Sequence, residues 1–152
     1  MQATISRVTS YDDVYPSCAG TCATLRIFCG RLDPDEVTAR LGVEPTATQR
    51  EVERPNLPPV PHRVWLLSSE DQLESKDLRR HLDWLLQRLA GARGALTALR
   101  SGGAMVDLGC VWLSANGRGG PTLSPAQMEA LAALGLEVWF DVRLPEPGDA
   151  AE

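Results

Sequence analysis

Apolar residues fall at every second position through Leu136, Val138, Phe140, Val142 and Leu144, and Glu137, Trp139, Asp141 and Arg143 lie between them. A period of two marks a strand with one buried face. The same period runs through Ala23–Cys29. There Ala23, Leu25, Ile27 and Cys29 share one face, and Thr24, Arg26 and Phe28 the other. It returns in Met105–Leu113, with Val106, Leu108, Cys110 and Trp112 on one side, while Arg63–Ser68 reads as a further strand. Between the strands the period lengthens. Leu78, Leu82, Leu85, Leu86 and Leu89 form a helical stripe, and Ala92, Ala95, Leu96 and Leu99 resume it after Gly91. That pattern predicts a broken helix pair.

Two shorter helices announce themselves by their ends. Asp33-Pro34-Asp35-Glu36 and Ser124-Pro125-Ala126-Gln127 each supply an N-cap, a proline at the first helical position and a capping-box partner. Gly42 and Gly135 supply the left-handed residue that ends each helix. The predicted order is β-α-β-α-α-β-α-β. Alternating strands imply helices on one sheet face only. The expected fold is an α+β two-layer sandwich: a ferredoxin-like four-stranded sheet of two β-α-β halves with an extra long helical segment between them. Residues 1–16 read as a loose arm, 17–144 as one domain and 145–152 as a disordered tail. The connection from Glu44 to Pro61 holds five prolines, Pro45, Pro55, Pro58, Pro59 and Pro61. Their density argues against regular pairing there.

Composition narrows the function. The 152 residues carry 15 basic and 20 acidic side chains, a net charge of −5. That balance argues against nucleic acid, whose binding rests on phosphate neutralisation. No apolar run is long enough for a membrane span, and no leader pattern is present, so the expected location is the cytoplasm. Cys18, Cys22, Cys29 and Cys110 are then expected as thiols. The Cys18-x-x-x-Cys22 spacing fits common zinc sites poorly, so no metal is expected, and no cofactor.

The chain resembles the bacterial family known as domain of unknown function 4279. The resemblance rests on Ala23-Thr-Leu-Arg-Ile-Phe, Leu32-Asp-Pro-Asp-Glu-Val, Leu41-Gly-Val-Glu-Pro-Thr, Val64-Trp65, His81-Leu-Asp-Trp-Leu-Leu, Pro121-Thr-Leu-Ser-Pro, Leu134-Gly-Leu and Phe140-Asp-Val. These are caps and core positions, so the resemblance implies a fold and no reaction.

Four places are candidates for chemistry. His81 lies at the edge of the apolar stripe, and His62 follows a proline run; no Ser-His-Asp or metal signature can be assembled from the two. Gly117-Arg118-Gly119-Gly120 precedes a helix start and offers free N–H groups to an anion, without the spacing of a phosphate loop. Thr46, Thr48 and Arg50 offer two hydroxyls and a guanidinium, with Glu51 or Glu53 as the ordinary partners of Arg50. The uncovered sheet face carries Arg26, Phe28, Trp139, Asp141 and Arg143, the residue types enriched where proteins bind partners. The arm, the Pro-rich segment or the tail could equally cover that face. The leading expectation is a non-enzymatic binding module that docks a protein partner, or a second copy of itself, through that face. The alternative is a small-molecule or anion binder using Thr46, Thr48, Arg50 and His81. An enzyme is a third reading without a nucleophile–base pair to carry it.

Overall fold

Both capping boxes form. In a computed structural model that describes residues 10–147, and only the backbone of 51–54 and 57–62, Asp33 caps helix α1 (Pro34–Leu41) by accepting from the Asp35 N–H at 2.9 Å. Gly42 ends α1 at φ +70°. The Ser124 N–H donates to Gln127 Oε1 at 2.9 Å to start α4 (Pro125–Ala133). The long stripe breaks where expected, into α2 (Leu78–Arg88) and α3 (Arg93–Ser101), with Gly91 at φ +81° between them.

The sheet corrects the expectation. It has five strands, not the four of a ferredoxin-like sheet. They are β1 (Cys18–Phe28), β2 (Ala47–Arg54), β3 (Leu57–Ser68), β4 (Met105–Ser114) and β5 (Val138–Arg143), in spatial order β2-β3-β1-β4-β5. The extra strand is the Pro-rich connection itself. It folds as an antiparallel β2–β3 hairpin, turned at Asn56 with φ +62°. Proline is tolerated because β1 pairs with β3 only over Val64–Ser68. The proline-bearing start of β3 therefore has a neighbour on one side alone, so a nitrogen turned away from β2 has no ladder bond to lose. Two register shifts relieve the hairpin further, one between Gln49 and Glu51 and one between Val52 and Arg54. β1 is antiparallel to both β3 and β4, and β5 is parallel to β4. The sheet is thus mixed.

All four helices pack on one face. A single core joins Ala23, Leu25 and Ile27 of β1, Trp65 and Leu67 of β3, and Leu108 and Cys110 of β4 to Val37, Leu82, Leu96 and Leu131 of the four helices. The arm behaves differently from a loose segment from residue 10 onward; residues 1–9 lie outside the described residues. Asp12 N–H donates to Asp77 at 2.7 Å, Asp13 takes both nitrogens of an Arg80 fork at 2.7 and 3.0 Å, and the Tyr11 hydroxyl donates to Asp83. Tyr15 packs over the buried Trp112, 6.3 Å between ring centroids. The described part of the arm is therefore spent on α2 and on Trp112.

Candidate functional site

The open face is organised by one glycine. Register places Arg26 opposite Asp107, Thr24 opposite Gly109, and Gly109 beside Trp139. Residues in register share a face. Because Gly109 has no side chain, the Trp139 indole lies across β4; a Cβ at position 109 would meet Trp139 Cζ2 at 2.5 Å. The ring thereby reaches over to β1. The Arg26 guanidinium stands 4.7 Å from the Trp139 ring centroid and 5.2 Å from that of Phe28. Its Nε and Nη2 both donate to the Asp107 carboxylate at 2.7 Å. That two-pronged bond holds the Asp107 carboxyl below its ordinary value, against burial, which works the other way.

The result is an aromatic patch around a neutralised ion pair. Beside it lies an open depression of about 370 Å3, lined by Arg26, Met105, Val106, Asp107, Glu137 and Trp139. Trp139 keeps 37% of its surface in solvent and Met105 70%. Of the five residues expected on this face, Arg26, Phe28 and Trp139 converge. Asp141 and Arg143 sit further along β5 on the same side and pair with each other at 2.8 Å. Asp107, Gly109, Met105 and Glu137 complete the patch and were missed. The signal for Asp107 was present: it alternates with Val106 and Leu108, so it belongs opposite the core.

The family described as Domain of unknown function (DUF4279) matches residues 18–145. The chain belongs to that family. No curated protein and no solved structure matches it. The matched stretch of this DUF4279 chain begins with β1 and ends just past β5, so it contains every strand of the open face.

The other candidates of the DUF4279 chain scatter. Arg50 reaches Asp33 and Asp35 at the start of α1, at 3.3 and 3.2 Å; the side chains of Glu51 and Glu53, its expected partners, lie outside the described residues. The Thr46 hydroxyl accepts from the Ser68 N–H and donates to the Leu66 carbonyl, closing the β2–β3 ladder; Thr48 pairs in register with Trp65. His62 has no described side chain. In the glycine loop, the Gly117 N–H donates to Ser114 Oγ and the Arg118 N–H to Asn116 Oδ1, so two of the N–H groups offered to an anion already have acceptors.

His81 is 1% exposed, not at an edge. Its Nε2 faces the Ser75 carbonyl at 2.7 Å, and a carbonyl only accepts, so the proton sits on Nε2. Nδ1 then accepts from Ser69 Oγ at 2.7 Å, and Ser69 Oγ accepts from the Ala23 N–H at 2.9 Å. This Ser–His pair escaped the sequence, yet both residues are buried, and no substrate reaches Ser69 Oγ. Burial also pushes the His81 pKa down. The chain of bonds ties β1, the end of β3 and α2 together.

Cys18 and Cys22 both lie in β1. A register shift between Cys18 and Gly20 places Cys18 opposite Ser114 and Cys22 opposite Val111, on opposite faces of the sheet. The two thiols do not converge. Burial pushes the Cys110 thiol up to about 12. Among the described residues, no three His, Cys, Asp or Glu gather as metal ligands, and no helix is long and apolar enough to cross a membrane.

Proposed function

We propose that this chain is a non-enzymatic binding module whose open sheet face docks a partner protein, in the cytoplasm. The observation that carries the reading is the Arg26–Asp107–Trp139 cluster on a face that no described segment packs across. Its charges cancel within the chain, so what it offers is apolar area with a polar rim, the anatomy of an interface core. A Trp contributes a large apolar surface, and a guanidinium neutralised by its own carboxylate needs no counter-charge from a partner. The depression beside it suits an apolar side chain such as Leu, Met or Phe. Four free cysteines suit a reducing compartment. The anion-binding alternative has weaker support, because the Arg50 guanidinium is already shared by Asp33 and Asp35.

A photo-crosslinking residue at Met105, on the rim of the depression, tests the reading in the native host. The control carries it at Met128, which is 50% exposed on α4 on the helical side. Specific crosslinked species are expected from position 105 and not from 128. Equal capture at both, or none at either, contradicts the reading.

A further inference from the structure

The two edges of the sheet are built differently. The β2 edge carries two register shifts and a charge-rich sequence, Arg50-Glu51-Val52-Glu53-Arg54, devices that keep another strand away. The β5 edge has no register shift, and its charges, Asp141 and Arg143, stand on one face only. Its ladder to β4 runs without a shift from Val138 to Arg143, and it holds no proline and no lysine. Its helix-side residues extend beyond the helices: Val138 is half-buried, but Phe140 is 43% and Val142 52% exposed. Both were expected to point to the helix side, and they do, yet nothing described shields them.

The backbone of this edge is also unpartnered among the described residues, since β5 neighbours β4 alone. The Leu108 N–H donates to the Glu137 carbonyl at 3.0 Å, and Leu108 is in register with Val138. In a parallel pair, alternate residues then address the neighbouring strand. Glu137, Trp139, Asp141 and Arg143 turn their backbone groups to β4. Val138, Phe140 and Val142 turn theirs outward.

We propose that this edge binds a second copy of the chain, β5 against β5 in antiparallel fashion, on a two-fold axis through Phe140. In that register Phe140 faces Phe140 of the second copy and Val138 faces Val142. All three outward residues of each strand exchange both backbone bonds, two for each of three facing pairs, making six. On the open face, Glu137 meets Arg143 of the second copy, and Trp139 meets Asp141. The neighbouring registers are excluded by charge. A slip of one residue turns the side chains to the wrong faces. A slip of two in one direction sets Asp141 against Asp141; in the other it sets Glu137 against Asp141. Like charges directly opposite are unfavourable. Only the Phe140-centred register joins opposite charges, apolar pairs and complete backbone bonding. The two sheets become one of ten strands, with both Trp139 clusters on the same continuous face.

This inference builds on the binding-module reading, and it names one occupant for a different surface. Sedimentation equilibrium of the full chain over a wide concentration range tests it, with three variants. Val142→Pro removes an outward N–H and no bond to β4, so folding is expected to survive. Losing two of the six bonds is expected to raise the dimer dissociation constant about tenfold or more. Arg143→Glu sets two acidic residues opposite each other and is expected to weaken the dimer. Glu137→Arg combined with Arg143→Glu exchanges the charges and is expected to restore it. A wild-type monomer at every concentration overturns the proposal, and so does a dimer indifferent to Val142→Pro or one that the charge exchange fails to rescue. The two readings fail separately. Loss of crosslinking at Met105 with an intact dimer removes the open-face reading alone; a monomer that still crosslinks at Met105 removes this one alone.

Discussion

The Trp139 indole lies against the backbone of Gly109, so closely that a methyl group at position 109 would stand 2.5 Å from its Cζ2. Gly109→Ala must therefore move the ring, and with it the contact to Arg26 at 4.7 Å. A cation–π contact of this exposed kind is worth about 0.5–1 kcal/mol. The variant is expected to melt slightly earlier, with an altered near-ultraviolet circular dichroism signal and weakened partner capture. An unchanged spectrum would mean that the ring does not rest where the register puts it.

Arg26 and Asp107 are partly exposed, with 34% and 27% of their side chains in solvent. Screening limits what the pair contributes to about 1 kcal/mol in spite of its two-pronged geometry. Because Arg26 lowers the Asp107 pKa, the pair stabilises the fold above the ordinary carboxylate value and loses that contribution as pH falls through the lowered one. The stability difference between wild type and Asp107→Asn is expected to be constant at neutral pH and to shrink below about pH 4. Denaturant titrations at several pH values measure it. A difference that stays the same down to pH 2 would separate the pair from stability.

His81 acts in the same direction, at higher pH. Burial lowers its folded pKa, so above the ordinary histidine value both folded and unfolded forms are neutral and pH has no effect through this group. As pH falls below about 6.5, the unfolded chain takes up a proton that the folded chain refuses, at up to about 1.4 kcal/mol per pH unit. Wild-type stability is expected to decline from there toward pH 5. His81→Gln is expected to flatten that slope, and to lower stability at neutral pH by about 1–3 kcal/mol because Ser69 and Ser75 lose a matched partner. A slope that survives the substitution would place its origin elsewhere.

Local signals predicted the helices and long-range pairing decided the rest. Asp33 with Glu36 and Ser124 with Gln127 stand within four residues of each other, and Gly91 breaks the long stripe by its own backbone conformation. No partner across the chain is needed to recognise them. The β2–β3 hairpin was hidden because its prolines argue against a strand unless one knows that β1 stops short of them. Arg26, Phe28 and Trp139 could be assigned to one face from alternation alone. Their convergence could not, since it depends on β5 lying beside β4 and on Gly109 leaving room for the indole. The contacts of residues 11–13 were not legible because their partners, Asp77, Arg80 and Asp83, stand 65–72 residues away in sequence. Asp141 and Arg143 were expected in the same patch, and their mutual pairing separates them from it.

The central claim is that the open face docks a partner through Trp139 and its neighbours. The most direct measurement is a quantitative pull-down from the native host with wild type and with the Phe28→Ala, Trp139→Ala double variant, beside thermal melts of both. The helix-side core is untouched by either change, so the melts are expected to differ by no more than a few degrees. Proteins recovered by wild type are expected to fall at least about thirtyfold with the double variant, since truncating one hot-spot residue costs about 2 kcal/mol or more. Equal recovery, or a collapse of stability with recovery unchanged, would contradict the claim and make Trp139 a structural residue of the sheet.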